Sequence, residues 1–246
     1  MAASYDKIGV NYARLRQPDA RIAARIAAAL GPAEHVLNVG AGAGSYEPPG
    51  RRITAVEPSA EMISQRPPSD ATVIQGTAED LPFEDNSFDA AMAVLTVHHW
   101  TDKARGMQEM RRVTRGPVVV VTYDPAFRDF WLLRYFPELV ALDEAQMPPL
   151  DHFADWLGPV DIAAVPIPHD CSDGFLAAYW RRPAAYLDPK IRAAMSSFWK
   201  IDTAERGLRR LQQDLESGAW MAENGALMDR DACDCGYRIV VTGAGA

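Results

Sequence analysis

Cysteine is scarce in this chain: three among 246 residues, Cys171, Cys233 and Cys235. An odd count argues against a disulfide framework, and the C-x-C spacing is not that of a zinc finger. Reduced, structural cysteines and no metal site are therefore expected; a thiol-based metalloid site would need all three to converge. Basic residues are also in deficit, 25 Lys and Arg against 33 Asp and Glu, for a formal charge of −8. Nucleic-acid binders usually carry a basic face, so no nucleic-acid partner is expected. The Arg pairs at 111/112, 181/182 and 209/210 are scattered and read as solvated helix faces. No run of eighteen apolar residues occurs and no signal-peptide pattern opens the chain, so the expectation is a cytoplasmic protein without a membrane span. There is no internal repeat and no low-complexity linker. With 48% hydrophobic residues, the chain suits one α/β domain over residues 1–246 with a helical addition. Composition leaves monomer or homodimer open.

What is present centres on Val36-Leu37-Asn38-Val39-Gly40-Ala41-Gly42-Ala43-Gly44-Ser45. A short β-branched apolar run ends in three glycines spaced two apart, as at the end of a buried strand. Glycine supplies positive φ and lets a ligand approach the backbone. A second apolar run ends Ala55-Val56-Glu57, and an acid there can accept hydrogen bonds from a ribose diol. Further strands are expected at 73–76, 88–95, 118–123, 160–167 and 237–241, and helices at 19–30, 60–66 and 102–115, the last capped by Gly116. The connection over 40–52, broken by Pro48-Pro49-Gly50, leaves room for a helix of a turn or two at most. Strand and helix alternate up to Tyr123, which predicts a doubly wound, mostly parallel seven-stranded sheet of Rossmann-like type. Residues 126–158 and 168–235 interrupt that rhythm as helical insertions before the last strand. Helical pieces are expected near 174–181, 189–199 and 203–217.

The G-x-G-x-G spacing and the aborted first helix disfavour a pyrophosphate, which uses a helix N-terminus. A nucleoside cofactor without phosphates fits better. The ordered set VLNVGAGAGSYE, ITAVEPSAEMI, GTAEDLPFEDNSFD and VLTVHHW resembles class I S-adenosylmethionine-dependent methyltransferases, near the ubiquinone/menaquinone-biosynthesis type, over roughly residues 1–125. The resemblance implies S-adenosylmethionine as cofactor and S-adenosylhomocysteine as its product. Gly40, Ala41, Gly42 and Gly44 would border its methionine part and Glu57 would hold the ribose hydroxyls. Pro58 and Met62 would flank the adenine, Ala78 and Glu79 would lie at its edge, and Leu95 near the reactive side. The arm over residues 1–18 would close over the methionine end, with Arg16 pairing its carboxylate and Tyr12 approaching the sulfonium. The chain departs from the family pattern at Asn38, where Asp is frequent, and at Thr114-Arg115-Gly116-Pro117, where Lys-Pro-Gly-Gly is usual.

Methyl transfer is an in-line displacement that needs positioning, and a base only where the acceptor must lose a proton. His98 and His99 follow the fourth strand and His169 stands in a polar cluster of the insertion; these are the candidate bases. One or two of Trp100, Phe130, Trp131, Tyr179 and Trp180 are expected in the pocket of a small-molecule acceptor beneath a helical lid. Two competing functions remain at this level. An NAD(P)-dependent oxidoreductase would need a catalytic pair such as Tyr-x-x-x-Lys, which does not stand at a suitable place. A catalytically inactive S-adenosylmethionine-binding protein would bind the cofactor without turnover.

Overall fold

The computed structural model describes residues 16–201 and 203–243; Tyr12 and most of the N-terminal arm lie outside them. Seven strands form one sheet in the order β3-β2-β1-β4-β5-β9-β6. They are β1 (His35–Val39), β2 (Arg52–Glu57), β3 (Thr72–Gln75), β4 (Ala90–Val94), β5 (Val118–Tyr123), β6 (Val160–Ala164) and β9 (Tyr237–Thr242). The first five pair in parallel, and β9 runs antiparallel between β5 and β6. A separate two-stranded ladder joins β7 (Ile167–Pro168) to β8 (Ala232–Cys233).

Each central strand feeds two cores because successive side chains point to opposite faces. Val119 and Val121 join one cluster with Ile22, Ile26, Trp131, Trp180 and Trp220; Val118 and Val120 join the other with Met107, Met110 and Phe153. All six residues of β5 are buried, which is why it reads as an unbroken apolar run rather than an alternating one.

Local chemistry sets the helices. Asp19 caps α1 (Ala20–Ala29) by accepting from Arg21 N, Ile22 and Ile26 are buried one turn apart, and Gly31 ends the segment at φ +59°. Ser59 caps α2 (Ala60–Ser64) through Met62 N. Asp102 caps α3 (Lys103–Val113), whose Met107, Met110 and Val113 are buried. Beyond the sheet centre come α4 (Glu138–Gln146), α5 (His152–Leu157), α6 (Pro189–Arg192), α7 (Ala204–Ser217) and α8 (Ala219–Asn224).

Three details refine the expected organisation, and one of them, the Gly116 cap, corrects it. The β1–β2 connection contains turns and no helix at all, because Pro48, Pro49 and the positive-φ glycines at 40, 42, 44 and 50 leave no helical register. Gly116 does not cap α3, which ends at Thr114. Its lack of a side chain serves close packing instead: a Cβ there would come within 2.1 Å of Asp89 O. The insertions are helical as expected, but broken: 3-10 turns at 131–134, 176–179, 183–187, 196–199 and 225–229 alternate with α4 to α8, of which α7 is the longest.

Candidate functional site

The glycine loop leaves β1 and folds across the end of β2. Gly40 N and Ala41 N both donate to Val56 O, at 2.8 and 3.1 Å. Gly40 has φ +66°, and a Cβ on it would sit 2.1 Å from Thr96 Oγ1. Both facts require glycine. Gly42 (φ +52°) lies over Met62, whose Cε is 3.3 Å from where a Cβ would be, and Gly44 lies against the Arg66 guanidinium.

Glu57 ends β2 almost completely buried. Its Oε2 accepts from Gly42 N at 2.8 Å and its Oε1 from Ser59 N at 2.9 Å. A carboxylate has about four lone-pair directions, so two backbone bonds orient it without exhausting its acceptor capacity. Pro58 is exposed beside it, while Met62 and Ala78 are buried. Glu79 is engaged elsewhere: its Oε1 accepts from Thr101 N at 2.8 Å and Asp102 N at 3.1 Å, fixing the entry to α3.

Asn38 is 2% exposed and donates through Nδ2 to Glu47 Oε1 at 3.0 Å. Glu47 in turn takes a bidentate pair of bonds from Arg66 Nη2, each 2.7 Å. Arg66 Nη1 reaches Gly42 O at 3.3 Å. Asn38, Glu47 and Arg66 thus form a brace behind the glycine loop, and the neutral amide at 38 serves as donor to a carboxylate already paired with a guanidinium. The sequence reading missed Glu47 and Arg66, although both lie in or beside quoted motifs.

Tyr46, at φ +64°, ties the same loop to the insertion. Its hydroxyl donates to Asp173 Oδ2 at 2.8 Å. Asp173, 1% exposed, also accepts from Gly174 N and from Arg16 Nε at 2.6 Å. Arg16, the residue expected to meet a cofactor carboxylate, is ion-paired with Asp173, as a buried carboxylate requires. Burial and the Asp173 carboxylate push the Tyr46 phenol well above its ordinary range.

A cavity of about 70 Å³ opens at the carboxyl ends of β4 and β5. Leu95 and His98 come from the segment after β4, Tyr123 from β5, Tyr237 from β9, and Phe175, Met195 and Lys200 from the insertion. Asp143, Gln146 and Met147 reach it from α4 and its end, and Arg16 lines its edge. Leu95 holds φ +53°, rare for a branched side chain, and its neighbour Thr96 is the residue that packs on Gly40. The cavity and the glycine loop therefore share a wall.

The five aromatic candidates lie away from this cavity. Phe130, Trp131 and Trp180 are buried in one core, against which Tyr179 packs partly, and Trp100 is buried in the core on the other face. Trp131 Nε1 donates to Trp180 O and Trp180 Nε1 to Ile167 O, so both indoles are spent on structure. None of the five lines the cavity.

Of the histidines, only His98 lines it. Burial, with the neighbouring His99 ring 3.8 Å away, pushes the His98 imidazole well below its usual range. Desolvation and the charges of Lys200, Arg16 and Lys103 lower His99 too. His169 is not brought to the cavity. It lies by β7, 3.8 Å from Asp170, with its N–H on Asp231 O.

Asp143 was not foreseen. It is 8% exposed, and burial raises its carboxyl to about 7. The signal available was its place four residues after the fully buried Leu139, on the inward face of α4. Among the described residues no group of three or more His, Cys, Asp or Glu could hold a metal ion, and no helix is long and apolar enough to cross a membrane.

Comparison with known proteins agrees with this arrangement. Residues 37–121 match the family model described as a methyltransferase domain. A crystal structure described as a putative methyltransferase from an antibiotic biosynthesis pathway of Anabaena variabilis is similar throughout. It shows 34% identity and a TM-score of 0.87, over 93% of this chain and 99% of that one. The chloroplastic 2-methyl-6-phytyl-1,4-hydroquinone methyltransferase 2 of rice (Oryza sativa subsp. japonica) is 33% identical over 85 residues, 35% of this chain and 23% of that protein. The uncharacterized methyltransferase YcgJ of Bacillus subtilis is 32% identical over 126 residues, 46% of each chain. The matched stretch thus spans less than half the length of these curated relatives.

Proposed function

We propose, for a chain that belongs to the class I S-adenosylmethionine-dependent methyltransferases, that it methylates a small-molecule acceptor held in the cavity beside Leu95. The observation that carries this is the shared wall: Gly40 of the nucleoside loop packs on Thr96 while the adjacent Leu95 lines the cavity. A donor on the loop and an acceptor in the cavity would meet there.

The residues present fit the cofactor. Glu57, fixed by two backbone N–H groups, would accept from both ribose hydroxyls. Gly40, Ala41, Gly42 and Gly44 let the methionine end approach the backbone, Met62 and Ala78 border the adenine, and Leu95 faces the reacting end. Bound there, S-adenosylmethionine supplies an electrophilic methyl carbon on a sulfonium. The chain's own contribution is positioning, which in well-aligned reactions accounts for about 7–11 kcal/mol of a barrier. The insertions over 126–158 and 168–235 act as the lid, joined to the loop by the Tyr46–Asp173–Arg16 contacts. With their pKa values lowered, His98 and His99 are weak bases; His98 acts as a neutral polar wall. The acidic balance of the chain supports a small molecule over nucleic acid as acceptor.

Calorimetry with S-adenosylmethionine, S-adenosylhomocysteine and NADP tests the reading. The first two should bind, and Glu57→Ala should weaken them roughly ten- to a hundredfold, the worth of a hydrogen bond to a charged group. NADP binding in their place, or a Glu57→Ala variant that binds as wild type, would overturn it.

A further inference from the structure

Among the described residues Asp143 is the one carboxyl group lining the cavity. It is 8% exposed; its backbone carbonyl accepts from Met147 N at 2.8 Å, but its side-chain carboxyl receives no hydrogen bond from any described residue. Buried carboxylates are ordinarily paired, and one left alone in an apolar wall weakens the fold. The phenols of Tyr123 and Tyr237 feel the charge of Asp143, and the same cavity is lined by Leu142, Met147, Leu176 and Met195 together with the neutral polar side chains of Gln146, Ser196 and Ser197. The charged and titratable groups that face it are few. Arg128 is bonded to Glu144 and to the carbonyls of Pro125 and Phe127. Lys200 donates to Gln146 Oε1 at 2.6 Å. His98 is neutral, and Arg16 is paired with Asp173.

We propose that Asp143 is the group that binds the acceptor's hydroxyl and takes its proton during methyl transfer, and that the acceptor is a neutral, largely apolar hydroxyl compound of phenol type. This rests on the methyltransferase reading above. The charge balance favours a neutral acceptor over an ammonium. Asp143 and Lys200 both line the cavity, one group of each sign without a direct pair between them, and Arg16 is paired with Asp173, so the lining as a whole needs no further cation. The rings of Tyr123, Phe175 and Tyr237 with the aliphatic wall suit an aromatic body.

The step balances. The Asp143 carboxylate takes the hydroxyl proton, the acceptor oxygen forms the new O–CH3 bond, and the methyl–sulfur bond breaks with its electron pair returning to sulfur. The carboxylic acid then releases its proton to solvent as product leaves. A carboxyl titrating near neutrality is matched to this task, being ionised in a useful fraction yet more basic than an exposed one.

The test uses the full chain, labelled S-adenosylmethionine, and phenol, 2-naphthol and benzylamine as probes. Label should appear on the phenol or naphthol oxygen, at a rate that rises with pH through about 7 as Asp143 ionises. Asp143→Asn should lower kcat at least a hundredfold while S-adenosylmethionine affinity stays within twofold, and Asp143→Glu should restore part of the rate. The Asn variant should also melt higher than wild type at pH 8, since it removes a buried, unpaired charge. Label on benzylamine alone, no labelled product from either phenol, or an Asp143→Asn variant within threefold of wild-type kcat would each overturn the proposal. Failure to bind S-adenosylmethionine at all would instead overturn the methyltransferase reading beneath it.

Discussion

Asn38→Asp restores the acid that the family pattern often carries, and it should weaken this protein. Asn38 donates to Glu47 Oε1 at 3.0 Å, and both side chains are largely withdrawn from solvent. An aspartate there has no hydrogen to donate and sets a second carboxylate against the first. At an effective dielectric of about 20, two like charges roughly 3 Å apart repel by about 5 kcal/mol. Proton uptake is the less costly escape: holding an aspartic acid neutral at pH 7, against an ordinary pKa of about 3.9, costs about 4 kcal/mol. Arg66, already on Glu47, relieves part of this. The expected loss is therefore about 2–4 kcal/mol near neutrality, a fall in Tm of roughly 5–15 °C for a chain of this size. The sign with pH follows. The carboxyl pair takes up a proton that the unfolded chain would release, so the penalty grows as pH rises above the ordinary carboxylate range. Near pH 4.5 it should shrink to about 1 kcal/mol or less. Urea unfolding of wild type and variant at pH 4.5 and 7.5 measures this directly. Equal stability at both values, or the same deficit at both, would refute the electrostatic account of the brace.

Gly40→Ala combines a positive φ with a Cβ placed 2.1 Å from Thr96 Oγ1. It should cost more than about 2 kcal/mol of stability and weaken S-adenosylmethionine at least tenfold by calorimetry; a variant that binds normally would show that the loop has slack. Asp19, buried and held by Arg21 and by Ser172 N, has its carboxyl lowered to about 2. Its contribution is present above the ordinary carboxylate pKa and is lost as pH falls through about 4 to 2. Asp19→Asn should therefore flatten the acid limb of the stability profile in that window, and an unchanged limb would remove Asp19 as its source.

The sheet was legible because its signals are local. Val118–Tyr123 must be a buried strand whichever way the chain folds, and Asp19, Ser59 and Asp102 announce helices by a hydrogen bond to a backbone N–H two or three residues on. The glycines and Glu57 were legible for a related reason: backbone conformation and the end of a strand fix where they lie. The insertion was less so. Its short 3-10 turns carry no 3.6-residue period, and its tryptophans look alike whether they face a ligand or one another. The indole N–H groups decide that question, and the partners of Trp131 and Trp180 are carbonyls far away in sequence or turned back on the core.

What local pattern could not supply is pairing across distance, and here pairing assigns the chemistry. Arg16 has the charge to clasp a carboxylate, but the carboxylate it meets is Asp173, 157 residues on. Asn38 looked like a lost acid until Glu47 and Arg66 closed around it; the position is neutral because its neighbour already holds the charge. His98 and His99 have the residue type of a base, yet desolvation and the cations of Lys200, Arg16 and Lys103 lower the proton affinity of both, His98 half-buried in the cavity wall. Asp143 has an ordinary helix-surface sequence context, yet the same kind of burial raises its proton affinity toward neutrality. Desolvation acts oppositely on cationic and anionic acids because it always disfavours the charged form. In one cavity it therefore weakens the imidazole as a base and strengthens the carboxylate, which is why the proton-accepting role moves from the residues that residue type suggests to the one that burial selects.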